Sequence, residues 1–259
     1  MALPALENWD TTRRSLHQVV QVVGSIKKAV VEPLPNYAHL GLFVTAEGLT
    51  TGRLNGRGEI IINFLQWRVS YFSPANQQYD IDIQDMTQVD IRNAILEGMK
   101  HAGFEVHPKL EEITGQSPLR IDRSTMKAYQ QGLYAVYTAL SHFRNRFLGT
   151  FSPMIIFPHG FDLSFLWFKH GSEEKTNPHM NFGFSPGSEG FPRPYIYVYA
   201  SPLPEAFFDI SLPILARFVH EPWKGIMISY DRLVSEEHPE TLLVQMLVDI
   251  QSAVAPLLV

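Results

Sequence analysis

Leu16, Val19, Val20, Val23, Ile26 and Val30 recur at spacings of three and four, which predicts an amphipathic helix from Asn8 to Val31. Asn8 or Asp10 stands where a cap is expected, and Pro33 and Pro35 stop the helix, since proline cannot continue the hydrogen-bond ladder. Strand-like runs follow at His39 to Thr45, Leu49 to Leu54, Glu59 to Phe64, Arg68 to Phe72 and Tyr79 to Ile83. Asn55-Gly56-Arg57-Gly58 supplies a hairpin turn between two of them, so the region reads as an antiparallel meander. Thr87 and Asp90 form a capping-box pattern ahead of a second helix whose apolar face is Ile91, Ala94, Ile95, Met99 and Ala102, closed by Gly103.

A short strand is expected from Phe104 to His107. The most periodic segment of the chain comes next: Met126, Tyr129, Leu133, Val136, Leu140, Phe143 and Phe147 alternate steps of three and four and predict a third long helix. Strands are then expected at Met154 to Phe157, Asp162 to Phe168, His179 to Phe184, Tyr195 to Ala200 and Gly225 to Ser229. A last helix begins near Pro239, a residue suited to a first helical position. The fold class is therefore α+β: antiparallel sheets packed with long amphipathic helices in one compact domain, residues 1–259. The order of elements suggests two degenerate α-β(4–5)-α halves, 1–115 and 116–259.

Composition narrows the function. Hydrophobic residues make up 45% of the 259 residues and charged ones 18%, enough for a sizeable core. A net charge of −5 has the wrong sign for a protein that grips a nucleic-acid backbone. The absence of cysteine removes disulfides, thiolate catalysis and Cys-ligated metal. Met1 to Asp10 lacks the basic and apolar segments of a leader, and no stretch approaches the ~20 apolar residues of a membrane span. The expectation is a soluble cytoplasmic protein with no nucleic-acid or membrane partner, open to a small-molecule ligand and to self-association, with its cofactors, if any, unknown.

Ten histidines direct attention to acid–base chemistry. His159 and Asp162 share the turn Phe157-Pro158-His159-Gly160-Phe161-Asp162-Leu163, where a carboxylate can orient an imidazole or simply cap the turn. Arg144 and Arg146 end the third helix and suit an anion or the helix dipole; Arg146 is the preferred anion clamp. His17, Gln21, Gly24 and Lys28 form one stripe of the first helix, either the wall of a pocket or a solvated boundary, and Gly24 permits close approach of another segment. His170, Glu173, Glu174 and His179 match no metal motif and read as a solvated loop, and no metal ligands are assigned; His101 with His107 is a weaker pair still. There is no G-x-S-x-G elbow and no phosphate-binding glycine loop. Phe182, Phe184, Phe191, Tyr195, Tyr197 and Tyr199 cluster in sequence, the three tyrosines on one strand face, as a pocket lining or as packing against a helix. The Pro/Gly-rich segment Ser185 to Pro194 reads as a loop beside a site or an interface.

Several blocks in a fixed order carry a family resemblance: Trp9, Thr12, Leu16, His17, Gln21 and Gly24; Thr45-Ala46-Glu47-Gly48-Leu49-Thr50-Thr51; Arg144-Asn145-Arg146-Phe147-Leu148-Gly149; and Ser152-Pro153 before Phe157. Gly160-Phe161-Asp162-Leu163, Gly183-Phe184-Ser185-Pro186-Gly187 and Tyr195 to Pro204 complete the series. Over most of its length the chain thus resembles a mainly bacterial family, domain of unknown function 5996, departing from its pattern at His159 and Ser185, where tryptophan-containing positions are expected. The resemblance implies a fold unit and motif positions, and no reaction or cofactor.

The reading that unites these features is a small-molecule-binding protein with a polar pocket and a capacity for acid–base catalysis. His159 or His17 would carry the proton, Asp162 would orient it and Arg146 would clamp an anion. Thr50, Thr51, Ser152, Phe184 and Tyr197 join His17 and Gln21 as ligand-binding candidates, because they lie at element ends or in the aromatic cluster. The rival reading is a protein-interaction module presenting the aromatic surface from Phe182 to Pro204.

Overall fold

The computed structural model describes residues 3–109 and 113–258. The chain divides into two compact units, one comprising Leu6–Gln130 and Ile155–Phe161, the other Met1–Ala5, Gln131–Met154 and Asp162–Val259. With helices and antiparallel sheets in its make-up the protein is α+β. Among the described residues no helix is long and apolar enough to cross a membrane.

The first unit opens with α1 (Trp9–Val30), which buries Leu16, Val19, Val20, Val23 and Ile26 on the face set by their spacing. Neither expected cap forms: Asn8 occupies the N-cap position with a left-handed backbone and no side-chain bond, and Asp10 instead bonds Arg13 and Arg14 at 2.7 and 2.6 Å. The segment from His39 to Thr45, expected as strand throughout, begins inside a 3-10 turn over Pro35–Leu40, and only β1 (Phe43–Thr45) is extended. Proline at the start of that turn fixes a φ suited to a tight helix and lacks the N–H a strand needs. β2 (Gly48–Arg53), β3 (Glu59–Asn63), β4 (Arg68–Phe72) and β5 (Gln78–Asp82) follow in simple meander order. The β2–β3 connection is the expected turn, with Asn55, Gly56 and Gly58 all at positive φ.

The capping box of α2 (Gln88–His101) forms as read, Thr87 and Asp90 each accepting the other's backbone N–H at 3.1 Å. Phe104 to His107 is irregular instead of a strand. The run alternates apolar and polar residues, but at four residues after the Gly103 helix stop it is too short to secure a partner strand. β7 (Ile155–Phe157) returns to this unit, where Ile156 and Leu42 exchange two backbone hydrogen bonds of 2.8 Å.

α3 (Arg123–Arg144) contributes Met126 and Tyr129 to the first unit and Leu133, Val136, Leu140 and Phe143 to the second. In the second unit the strands run in the order β11 (Ala216–Val219), β12 (Gly225–Ser229), β10 (Tyr195–Ser201), β9 (His179–Ser185), β8 (Asp162–Phe168) and β6 (Thr150–Phe151), each pairing antiparallel. Sequence periodicity does not disclose β6, β11 or the five-residue α4 (Tyr230–Val234), all shorter than the windows that carry a period. α5 (Pro239–Val254) starts on its proline as expected.

Strand alternation sorts this second sheet into two faces. Phe165, Phe182 and Phe184 lie on one, where α3 and α4 cover them: Phe143 meets Phe182 at 4.7 Å between ring centroids, and Tyr230 meets Phe184 at 5.7 Å. The three tyrosines of β10 lie on the other face and pack with Phe191, Trp223 and Met227, none of which belongs to a helix. Phe143→Ala should lower unfolding stability by ~3–5 kcal/mol, the usual cost of emptying an aromatic core site, as read by urea denaturation.

Lys27 is buried in the first unit at 3% exposure, its ammonium donating to the Gly41 carbonyl and lying 4.7 Å from the centre of the Phe43 ring. Burial pulls its pKa down from 10.5 to about 8. Below that value both folded and unfolded chains hold the proton and the desolvation cost is present in full. Between about 8 and 10.5 the folded chain releases it first, so stability rises with pH across this window. The urea midpoint should therefore be higher at about pH 9.5 than at about pH 7, and Lys27→Met should flatten that rise.

Candidate functional site

Within the first unit, one face of α1 meets the turn after β7. Gly24 makes the approach: a Cβ there would stand 2.3 Å from Cγ of Pro158, so any larger residue would push the turn away. Two helical turns before it, His17 bonds the Pro158 carbonyl through Nε2 at 2.9 Å and stacks on Phe161 at 5.6 Å. A carbonyl only accepts, so Nε2 carries the proton and the imidazole is the Nε2–H tautomer when neutral. Burial holds the His17 pKa below the ordinary histidine range, against a contrary pull from the Pro158 backbone bond. His17 is a strut that fixes the turn.

Beside this strut lies a cleft of about 410 Å³ lined by Gln21, Gly24, Ser25, Lys28, Leu40, Pro158 and His159. Three members of the helix stripe read from sequence, Gln21, Gly24 and Lys28, thus form its wall, and His159 faces them from a segment more than a hundred positions away. Gly24, Leu40 and Pro158 make an apolar floor; Gln21, Ser25, Lys28 and His159 supply polar groups. Ser25, Leu40 and Pro158 were not singled out by sequence reasoning. Ser25 follows Gly24 and Pro158 precedes His159, so the neighbours of flagged residues were the available signal.

A second cleft in the same unit, about 390 Å³, is lined by Trp67, Ile83, Leu119, Asp85, Arg120 and Asp122 among others. Two of its polar groups are engaged: Thr12 accepts the Asp122 N–H at 3.1 Å, and the Asp122 carboxylate takes bonds of 2.6 to 2.8 Å from Ser124 and Thr125, which depress its pKa to about 2.

The other candidates lie elsewhere. Thr50 and Thr51 close the irregularity between β2 and β3: Thr50 donates to Glu59, and Thr51 accepts the Ile60 N–H at 2.9 Å and donates to the Gly52 carbonyl at 2.7 Å. In the second unit Ser152 Oγ accepts the Leu166 N–H at 2.8 Å, replacing a ladder bond, and Phe184 is core. Arg146 is exposed, while Arg144 is half-buried with its guanidinium 5.0 Å from the Phe151 ring. Tyr197 and Asp162 do come together: the tyrosine hydroxyl donates to the Asp162 carboxylate, and its ring lies flat across β9 because Gly183 leaves no Cβ in its way. Burial first, and then the Asp162 charge, raises the Tyr197 pKa well above the ordinary value. The hydroxyl is a fixed donor, and Asp162 is held by it.

His179 bonds the Asn177 carbonyl at 2.8 Å and packs on Phe168. Among the described residues no group of three or more histidines and carboxylates is placed to hold a metal ion.

Gly24→Ala should displace the Pro158 turn, lowering stability by ~1–3 kcal/mol as overpacking does, and should shift the amide resonances of residues 157–161.

No curated protein and no solved structure matches the chain. The sequence profile of one family, described as a family of unknown function, DUF5996, matches residues 2–258. The expected resemblance is thereby met over nearly the whole length, and the chain belongs to the DUF5996 family of unknown function.

Proposed function

We propose that this protein binds a small polar molecule in the cleft between α1 and the Pro158–His159 turn. The observation that carries the reading is convergence: Gln21, Ser25 and Lys28 from one helix and His159 from a distant turn surround a shared apolar floor. Its volume of about 410 Å³ falls in the ~300–1,000 Å³ range of small-molecule sites. The close approach of Gly24 and the His17 bond favour a preformed site, which avoids the ordering cost that weakens binding.

The same residues support a modest form of acid–base chemistry, with His159, exposed at the mouth, as proton carrier. His17 serves in this reading by positioning the turn, and Asp162 and Arg146 are not needed for it.

A thermal-shift screen of the full chain against a library of carboxylates, phosphates, amines, sugars and nucleosides tests the proposal. A ligand at ~100 times its Kd should stabilise by ~2.7 kcal/mol, a shift of several degrees. Lys28→Ala and His159→Ala should each weaken that ligand roughly tenfold while leaving the unliganded melting temperature within about a degree. The absence of any stabilising compound, or hits indifferent to both substitutions, would remove the cleft as the binding site.

A further inference from the structure

Asn55-Gly56 is the one Asn-Gly pair in the chain, and it forms the centre of the turn between β2 and β3. Both residues have positive φ, 47° and 79°, and the Arg57 N–H closes the turn on the Leu54 carbonyl at 2.8 Å. Two features open this pair to chemistry. The bonds of the turn join Leu54 to Arg57 and to Gly58, whereas the Gly56 N–H has no acceptor among the described residues. Nothing lies within 4 Å of the place a Cβ on Gly56 would occupy, and Asn55 itself is exposed, so water reaches both groups.

The Asn55 amide also has a structural task. Its Nδ2 donates to the Val30 carbonyl at 2.9 Å, and because a carbonyl only accepts, the nitrogen end of the amide must face this contact. Val30 is the last residue of α1, where carbonyls lack partners within the helix. The hairpin tip therefore caps the helix turn that carries the buried Lys27.

We infer that Asn55 is a site of spontaneous deamidation in the folded protein, and that the change uncaps α1. The Gly56 nitrogen, having given its proton to hydroxide, attacks Cγ of Asn55: the N–Cγ bond forms, the Cγ–Nδ2 bond breaks, and Nδ2 takes a proton from water and leaves as ammonia. A second water opens the cyclic imide at either carbonyl, giving aspartate or isoaspartate without any oxidant or reductant. Either product carries a carboxylate and no side-chain amide. It has no N–H to give the Val30 carbonyl, and its charge stands beside the negative end of the α1 dipole. Isoaspartate also routes the main chain through the former side chain, which lengthens the turn by a carbon.

Full-length protein aged in mildly alkaline buffer, below its unfolding temperature, and then cut after Glu47 and Glu59 tests the reaction, because peptide 48–59 holds Asn55 as its sole asparagine or glutamine. That peptide should shift by the mass separating an amide from an acid and divide into aspartate and isoaspartate forms, about tenfold or more faster than peptides bearing any other asparagine. Gly56→Ala places a methyl group beside the attacking nitrogen and should slow the shift about tenfold. Asn55→Gln, whose attack has to close a larger ring, serves the same purpose if Gly56→Ala does not fold. A peptide that keeps its mass in the folded protein while the urea-unfolded chain converts, or a rate that both substitutions leave unchanged, overturns the site.

Asn55→Asp supplies the aspartate product at once. It should lower the melting temperature by about 2–4 °C and speed hydrogen exchange severalfold at the Val31 amide, which bonds the Lys27 carbonyl at 2.9 Å. Asn55→Ala loses the donor without gaining the charge and should move both readouts less. The aged fraction, separated from the rest by its added negative charge, should match Asn55→Asp and stands in for it if that variant does not fold. Wild-type melting and wild-type exchange in the product overturn the uncapping of α1.

Discussion

The contact of α1 with the Pro158 turn is the constraint on which the candidate site depends. It has two halves of different physical kind. Gly24 supplies absence, a missing side chain that lets a proline ring lie against a helix, and His17 supplies a directed bond to the carbonyl of that same proline. A glycine inside a helix is destabilising by ~0.5–1 kcal/mol relative to alanine, a local loss that the packing against Pro158 offsets. Everything the cleft offers then follows from where the turn is held: His159 is carried along by Pro158, and the residues one turn further down α1 become the opposite wall.

The polar groups of the first unit show how an interior of ordinary side chains can acquire direction. Hydrogen bonds of backbone groups have only one sense, and Gln88, set between the Gly115 N–H and the Gln18 carbonyl, inherits that sense. Lys27 illustrates the opposite case, a charge buried with one carbonyl and one ring, whose protonation is what yields. Neighbours in sequence, Lys27 and Lys28 thus differ entirely: one points its charge into the protein and the other brings it to the cleft.

Much of the fold was legible because its elements are long or obey clear local chemistry. The three-and-four spacing in α1 and α3, the Thr87–Asp90 box and the Asn55–Gly58 turn each encode their structure within a few residues. What escaped was short or dependent on tertiary partners: β6, β11 and α4, and the 3-10 turn at Pro35–Leu40 inside an apparent strand. For the site, the helix stripe and His159 were visible as polar residues at suitable spacing, but nothing in the spacing of residues separated them from Thr50, Thr51 and Ser152, whose hydroxyls bond within or beside the sheets.

The unit that holds the cleft is not continuous in sequence: it takes residues up to Gln130 and then a seven-residue return, Ile155–Phe161. A ribosome delivers the chain from the N-terminus at ~5–20 residues per second, so the wall on α1 emerges well before the turn that must face it. Until that return segment is clear of the exit tunnel, Leu42 lacks its bridge to Ile156 and Gly24 faces no proline. The nascent protein therefore carries a helix with an unfilled notch until residues 155–161, few as they are, arrive to fill it.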